Sequence, residues 1–320
     1  MNQSQSPVGT LPGSAAPLAS RMKRRPAWRG KEEHIVGYLL LLPAIVLVCA
    51  VTVFPLLRTF QVSFTNQVLA EQTNAYIGLQ NYHLLTQDFF FRKAYENTWT
   101  FSLWSLAGET VLGLILALLM NRPWRFRGWL RAAVLIPWAV PDIVSARLWT
   151  WIYDGTYGVL NFIVQSLHIS SQKVNWLGDP QIALHALIIA DVWKTTPFMA
   201  LLLLAGLQSI PAPLYEAAAV DGASGLTAFR VITLPLLTPV LVIAMLMRFL
   251  GAFQIFTLIF ASTEGGPAGS TETMSTYTYK TMFSATQFGY GAAMAVVLFA
   301  TLLLVTMVTL AIFGRRLNQA

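Results

Sequence analysis

The sequence predicts an all-α integral membrane protein whose transmembrane domain contains six helices. Hydrophobic residues make up 55% of the 320-residue chain and charged residues only 11%, whereas about a quarter of the residues in a soluble domain are charged. The mean hydropathy is +0.57, and the apolar runs are long and do not alternate as β-barrel strands do. Because a helix satisfies its own backbone hydrogen bonds in lipid, these runs predict a helical bundle.

Six apolar runs approach or exceed the length of about 20 residues that one membrane-crossing helix needs. They lie at residues 35–57, 97–120, 133–153, 182–208, 236–262 and 291–313. Together they define a transmembrane domain over 35–313, between a basic tail at 1–34 and a short tail at 314–320. The first 20 residues are rich in Ser, Pro, Gly and Ala, and we expect them to be disordered.

The distribution of Lys and Arg predicts the orientation. Thirteen of these residues lie on the side that carries both termini, five lie on the opposite side, and three fall inside the predicted spans. Because loops rich in Lys and Arg stay in the cytoplasm, we expect both termini to be cytoplasmic. The net charge of +7 is then mainly a topology signal and a source of contacts with lipid headgroups. It indicates no nucleic-acid partner.

The segment at residues 211–235, between the fourth and fifth spans, is the most informative part of the chain. Its centre consists of Glu216, Ala217, Ala218, Ala219, Val220, Asp221, Gly222 and Ala223. Glu and Ala favour helix, and Gly222 stands where a left-handed residue ends one. Small Ala side chains let another protein surface approach closely, so we predict a short docking helix. The alternative is an ordinary amphipathic connector on the membrane surface.

This segment resembles the EAA loop of binding-protein-dependent ABC importer permeases, in which a short cytoplasmic helix docks into the ATPase subunit. Four further segments resemble the sugar-permease branch of that family, of the maltose, trehalose and glycerol-phosphate type, and they occur in the family's order. They lie at 76–82, 193–198, 207–211 and 265–274. The resemblance extends from about residue 35 to the end. It implies the type I importer fold in a bacterial inner membrane.

The resemblance also implies which residues couple the chain to the ATPase. They are Glu216, Ala217, Ala218, Ala219, Asp221, Gly222 and Ala223. The chain has no phosphate-binding loop of its own, since its Gly30-Lys31 pair is followed by Glu32 where Ser or Thr is required. We therefore expect no enzyme activity in this chain, and ATP and Mg²⁺ to be bound by a partner ATPase. The implied assembly is a permease heterodimer with two ATPase subunits and an extracytoplasmic sugar-binding protein.

Ionisable residues inside membrane spans are costly and are candidates for function. The predicted spans contain Glu109, Asp142, Arg147, Asp191, Lys194 and Arg248. Two helical stripes, each on one helix face, include three of these residues. The stripes are Asp191, Lys194, Thr195 and Phe198 in the fourth span, and Arg248, Gly251, Ala252 and Ile255 in the fifth, with Gln254 beside the second.

The related maltose permeases line their sugar site from the segments that match these stripes, so the resemblance implies a sugar-binding role for the nine residues. The alternative is a structural ion pair of Asp191 with Lys194 or Arg248. We expect Asp142 and Arg147 to neutralise each other or a partner permease, and Glu109 to contact another subunit. The four histidines are far apart in sequence and Cys49 is the only cysteine, so no metal site is expected.

The predicted function is that of a permease subunit of an ATP-driven importer, forming half of the pathway for a disaccharide or glycoside such as trehalose or maltose. A secondary transporter driven by an ion gradient is the main alternative, but it leaves the 211–235 segment unexplained. A membrane enzyme is less compatible with the sequence, because no nucleophile and base lie together on one membrane face.

Overall fold

A computed structural model describes residues 29–69, 71 and 74–317 of the chain, with side chains from residue 35 to residue 314. Outside this description lie the first 28 residues, the side chains of the remaining basic tail and the end of the C-terminal tail. The disorder predicted for residues 1–20 therefore also lies outside the described residues. The described residues are mostly helical. Two isolated β-bridges, Thr65 with Tyr76 and Val68 with Gln287, are the β-structure recorded among them.

The helices are α1 (Arg29–Val48), α2 (Phe54–Val62), α3 (Gln80–Gln87), α4 (Phe89–Asn121), α5 (Arg127–Ala139), α6 (Asp142–Ile152), α7 (Val159–Ser166), α8 (Ala183–Gln208), α9 (Ala212–Val220), α10 (Gly225–Ala228), α11 (Leu234–Phe253), α12 (Thr257–Ser262), α13 (Met274–Tyr279) and α14 (Phe288–Leu317). Three π-helical turns lie at Cys49–Val53, Phe229–Thr233 and Lys280–Ser284. Within the described residues, five helices are long and apolar enough to cross a membrane, and α5 with α6 forms a sixth candidate. The predicted all-α membrane fold is confirmed.

The chain divides into an N-terminal unit, Met1–Pro55, and a larger unit, Leu56–Ala320. The described part of the N-terminal unit is helical almost throughout, and Pro43 lies inside α1. Proline lacks a backbone N–H and cannot form the usual helical hydrogen bond there. No side chain within Cys49–Val53 is buried.

The larger unit is built around the contact between α4 and α8, where small residues let the helices approach closely. A Cβ atom added at Gly113 of α4 would lie 2.6 Å from the Cγ atom of Met199 in α8. Gly206 of α8 faces α11 in the same way, 2.8 Å from a methyl group of Leu237. Larger residues at these positions would separate the three helices. The close contacts therefore determine which side chains of α4, α8 and α11 can meet.

The structure differs from the sequence prediction in the third span. A continuous helix was expected over 133–153, but α5 ends at Ala139 and α6 begins at Asp142, with an angle of 94° between them. Val140 is extended (φ −72°, ψ 132°) because the ring of Pro141 disfavours a helical conformation in the preceding residue. The Lys194 ammonium donates a hydrogen bond to the free carbonyl of Val140, which stabilises the break.

Two other predicted boundaries also need correction. The fifth span was expected to continue to residue 262, but α11 ends at Phe253, and residues 254–256 separate it from α12. The second span was expected to start at residue 97, but α4 starts at Phe89, because Asp88 caps it. One Asp88 carboxylate oxygen accepts hydrogen bonds from the backbone N–H groups of Phe90 and Phe91, at 2.8 and 3.1 Å. Such caps satisfy donors that have no partner within the helix.

Asp88 also connects three helices. Its second carboxylate oxygen accepts hydrogen bonds from the hydroxyls of Tyr277 (2.7 Å) and Tyr290 (2.8 Å), near the start of α14. Partial burial acts to raise the pKa of Asp88, but the hydrogen bonds from Tyr277, Tyr290 and the two backbone N–H groups outweigh it. The pKa of this carboxyl therefore lies below its usual value.

We expect Asp88→Asn to lower stability at neutral pH by about 1 kcal/mol, allowing for solvent screening. A lowered folded-state pKa stabilises the protein above the unfolded-state value of about 3.9, and this contribution is lost as the pH falls through the folded-state pKa. The difference in melting temperature between wild type and Asp88→Asn should therefore shrink as the pH falls from 6 toward 3. A difference that stays constant over this range would contradict the assigned role of the Asp88 charge.

Candidate functional site

A cavity of about 630 Å³ lies beside the middle of α8, where the two helix breaks meet. One wall is the break between α5 and α6, and another is the break between α11 and α12 at residues 254–256. Non-helical backbone at membrane depth is tolerated where it is buried in protein or lines a polar cavity. The two breaks therefore mark a built cavity, called here the central cavity.

The central cavity contains most of the residues predicted from the two stripes. Seven of the nine line it: Asp191, Lys194, Thr195, Arg248, Gly251, Gln254 and Ile255. The other two do not. Ala252 is 1% exposed and packs in the apolar core, and the ring of Phe198 stacks on Trp138 with their centroids 6.1 Å apart. Trp138 itself lines the cavity, and so does Phe256, so the aromatic wall comes from α5 and the α11–α12 break rather than from Phe198.

A buried ion network crosses from α4 to α11 behind the cavity wall. The Nε and Nη2 atoms of Arg248 donate to the two carboxylate oxygens of Glu109 at 2.6 and 2.8 Å. The Thr195 hydroxyl donates to the same carboxylate at 2.7 Å. Glu109 is completely buried, so the expectation that it contacts another subunit is wrong. It is an internal counterion of Arg248, and the predicted pairing of Arg248 with Asp191 is secondary.

Asp191 is the acidic group that α8 contributes to the cavity wall. Its Oδ2 atom lies 3.6 Å from the Arg248 Nη2 atom, too far for a hydrogen bond. This oxygen is buried, and the Asp191 carboxylate has the side chains of Ser105 and Glu109 as polar neighbours. Because Asp191 also lines the cavity, its carboxylate can accept a hydrogen bond from a molecule bound there.

The charges at the α5–α6 break pair differently from the prediction. The Lys194 ammonium lies 3.0 Å from the Asp142 carboxylate, and it also bonds the Val140 carbonyl. Asp142 therefore does not neutralise Arg147, and Lys194 does not pair with Asp191. The Asp142 side chain is 70% exposed at the cavity rim. The ion pairs are therefore separate. Lys194 pairs with Asp142 at the α5–α6 break, and Arg248 pairs with Glu109 behind the cavity wall.

The predicted docking segment forms α9 and the turn that follows. Glu216, Ala217, Ala219, Asp221 and Gly222 are exposed, and Ala218 and Ala223 are half-buried. The helix closes with hydrogen bonds from the Gly222 N–H to the Ala219 carbonyl (3.1 Å) and from the Ala223 N–H to the Ala218 carbonyl (2.9 Å). This closure requires a left-handed residue, and Gly222 has φ +76°.

The docking segment is joined to the helix that carries Arg248. The hydroxyls of Tyr215 in α9 and Thr233 lie 3.0 Å apart, and Thr233 ends the π-helical turn before α11. Val220, at the end of α9, is 88% exposed, and Leu226 is also exposed. The segment thus presents small and apolar side chains outward while remaining attached to α8 and α11, two of the helices that line the central cavity.

Comparison with known proteins shows which family the chain belongs to. The family model for the inner membrane component of binding-protein-dependent transport systems matches residues 109–319. The chain belongs to this family. It is 43% identical over 92% of its length to the trehalose/maltose transport permease MalF of Thermococcus litoralis, covering 96% of that protein. It is 38% identical to the sulfoquinovosyl glycerol permease SmoG of Agrobacterium fabrum, covering 91% of this chain and 94% of that protein.

Solved structures show the same fold for the permease. A bacterial ABC transporter involved in the import of alginate superposes with a TM-score of 0.79 at 23% identity, covering 90% of this chain and 98% of the other. The predicted type I importer fold is thereby confirmed. The permease is a multi-pass inner membrane protein of an ABC importer, whose ATPase is a separate subunit in this family. The gradient-driven alternative is not favoured.

Proposed function

We propose that the permease forms half of the pathway for a disaccharide or glycoside such as trehalose or maltose, and that the central cavity holds this sugar during import. The observation that carries the proposal is the polar cavity between two broken helices, whose wall includes Asp191, Lys194 and Arg248. The cavity volume of about 630 Å³ lies within the range typical of small-molecule sites. The relatives described above are named as permeases for trehalose and maltose and for sulfoquinovosyl glycerol.

The chemistry of the wall suits a polyol. The Asp191 carboxylate accepts a sugar hydroxyl in a charge-assisted hydrogen bond. Arg248 uses its Nε and Nη2 atoms on Glu109, so its Nη1 group remains for the ligand. Gln254 is exposed at the α11–α12 break and adds an amide donor and acceptor. Trp138, half of whose surface is exposed, offers an aromatic face against which the apolar face of a sugar ring packs.

In the proposed assembly, a different permease subunit supplies the other half of the pathway and two ATPase subunits bind ATP and Mg²⁺. The docking segment, with Glu216, Ala217, Ala218, Ala219, Asp221, Gly222 and Ala223, contacts one ATPase. Both termini are cytoplasmic, as the Lys and Arg distribution predicts. A sugar-binding protein delivers the ligand from outside, as in a related alginate transporter whose structure includes a periplasmic protein bound to a pentasaccharide.

Asp191→Asn tests the cavity assignment. The substitution keeps the shape of the side chain and removes its charge, and a hydrogen bond to a charged group contributes about 1.5–3 kcal/mol. We therefore expect sugar uptake by the reconstituted importer to fall about tenfold or more, with sugar capture by the binding protein unchanged. Glu96→Gln, an isosteric change of an exposed acid on α4 away from the cavity, is the matched control.

Normal uptake by Asp191→Asn would show that the charge of Asp191 takes no part in holding the sugar. An exchange of the residues at 191 and 248 is less informative, because it would place a carboxylate beside Glu109, which is completely buried. Like charges at such a site destabilise the fold whatever the ligand does. The isosteric change avoids this problem.

A further inference from the structure

The outer face of α6 is an exposed apolar surface with one arginine at its centre. Ile143, Val144, Leu148 and Trp151 are all more than two-fifths exposed, and Trp151 is 76% exposed. Together with Arg147 they line a shallow groove of about 320 Å³. We call these five residues the α6 face. The opposite side of the helix, with Ser145 and Ala146, is buried in the larger unit.

Arg147 has no anionic partner within the part of the chain that the structure describes. The nearest acids in sequence are both engaged elsewhere. Asp142 pairs with Lys194, and Asp154 accepts hydrogen bonds from the backbone N–H groups of Thr156 and Tyr157. An arginine within apolar surroundings needs a counter-charge or a polar partner. The missing partner must therefore come from outside the described part of the chain.

The position of α6 places Arg147 inside the membrane-crossing region. Asp142, in the first turn of α6, pairs with Lys194 in the middle of α8. Just after the end of α6, the hydroxyl of Tyr153 donates to the carbonyl of Ala186, near the start of α8. Arg147 therefore lies at a membrane depth between those of Lys194 and Ala186. The helix also begins at the rim of the central cavity, so a molecule that covers the α6 face would help to close the cavity.

We propose that the α6 face docks a transmembrane helix of the second permease subunit, and that this helix carries a carboxylate that pairs with Arg147. The proposal rests on the proposed function for the existence of that subunit. The apolar residues of the α6 face provide a packing surface, and the single charge of that face, Arg147, requires an opposite charge on the partner.

The same charge argues that the partner is a different chain. A second copy of this chain packed symmetrically on the same face would bring two Arg147 side chains into one apolar interface. Two like charges near each other in such an interface are unfavourable, and a pairing that needs opposite charges selects against the self-association. The α6 face thus specifies a heterodimer as well as forming part of it.

Photo-crosslinking tests which molecule covers the α6 face. A benzophenone-bearing amino acid replaces Val144 in the full chain, co-expressed with the second permease subunit and the ATPase. We expect illumination of the membranes to link this chain to the second permease subunit. Crosslinks to another copy of this chain, or to lipid alone, would overturn the proposal.

Charge variants test the role of Arg147. Arg147→Glu should lower recovery of the second permease subunit on the tagged chain by about tenfold, and Arg147→Met should lower it less. Arg147→Lys, the matched control, should retain it. The melting temperature of the isolated chain should not change, because Arg147 has no partner within the described chain. Full recovery with Arg147→Glu would overturn the proposal.

These experiments distinguish a failure of the proposed function from a failure of the α6 interface alone. If the wild-type chain recovers no second permease subunit, the proposed function fails. If it recovers that subunit normally, while the probe at 144 does not label it and Arg147→Glu has no effect, only the α6 interface is wrong.

Discussion

Arg248→Ala is expected to prevent the permease from reaching a stable fold, before any effect on transport can be measured. The guanidinium holds both oxygens of Glu109, at 2.6 and 2.8 Å, and Glu109 is completely buried. Removing one partner leaves a buried charge without compensation, which costs about 3–5 kcal/mol. This is a large part of the roughly 5–15 kcal/mol that stabilises a typical protein. The measurement is the yield of monodisperse protein in detergent, with its melting temperature.

A second variant separates folding from ligand binding. Glu109→Gln combined with Asp191→Asn and Arg248→Met removes all three charges of the network, and replacing a whole buried ionic group with uncharged side chains is often tolerated. We expect the triple variant to recover the yield and melting temperature but not sugar uptake, because the Asp191 carboxylate and the free Nη1 group are lost. Arg125→Ala removes an exposed arginine and is the matched control. A normal yield for Arg248→Ala alone would disprove the structural role of the pair.

Gly222→Asp is expected to abolish coupled transport while leaving the permease inserted and folded. Gly222 is exposed, closes α9 in a left-handed conformation (φ +76°), and an added Cβ atom would meet nothing within 4 Å in this chain. The left-handed backbone strains an Asp by only about 1 kcal/mol, too little to unfold the permease, so most of the defect should arise where the segment meets the ATPase. A central docking residue contributes about 2–4 kcal/mol, so uptake and substrate-stimulated ATP hydrolysis should fall about a hundredfold.

Gly225→Asp is the matched control for this prediction. Gly225 is also exposed and also has open space around an added Cβ atom, but it lies in the first turn of α10, where an acidic side chain is favourable. Glu216→Lys should reproduce the defect of Gly222→Asp by reversing an exposed charge in α9. If Gly222→Asp supports normal uptake and binds the ATPase normally, the docking assignment is wrong.

The α5–α6 break shows which features of a helix break the local sequence predicts and which it does not. Pro141 makes a break predictable in principle, because proline restricts the residue before it, yet hydropathy alone predicts one continuous span. The size of the bend and the use of Lys194 to satisfy the Val140 carbonyl depend on α8, more than 50 residues away in the chain. Such pairings leave no periodic signal in either segment.

The sequence by itself determined that the chain is a helical membrane protein, because long apolar runs can be satisfied in lipid only as helices. The residues around Gly222 also identified the family, since they form a local motif. The pairing of Glu109 with Arg248, 139 residues apart, was decided only by the tertiary structure. So were the burial of Ala252 and the replacement of Phe198 by Trp138 on the cavity wall. The physical reason is that hydropathy specifies which segments enter the membrane, whereas close packing at residues such as Gly113 and Gly206 determines how each helix is rotated and which side chains meet.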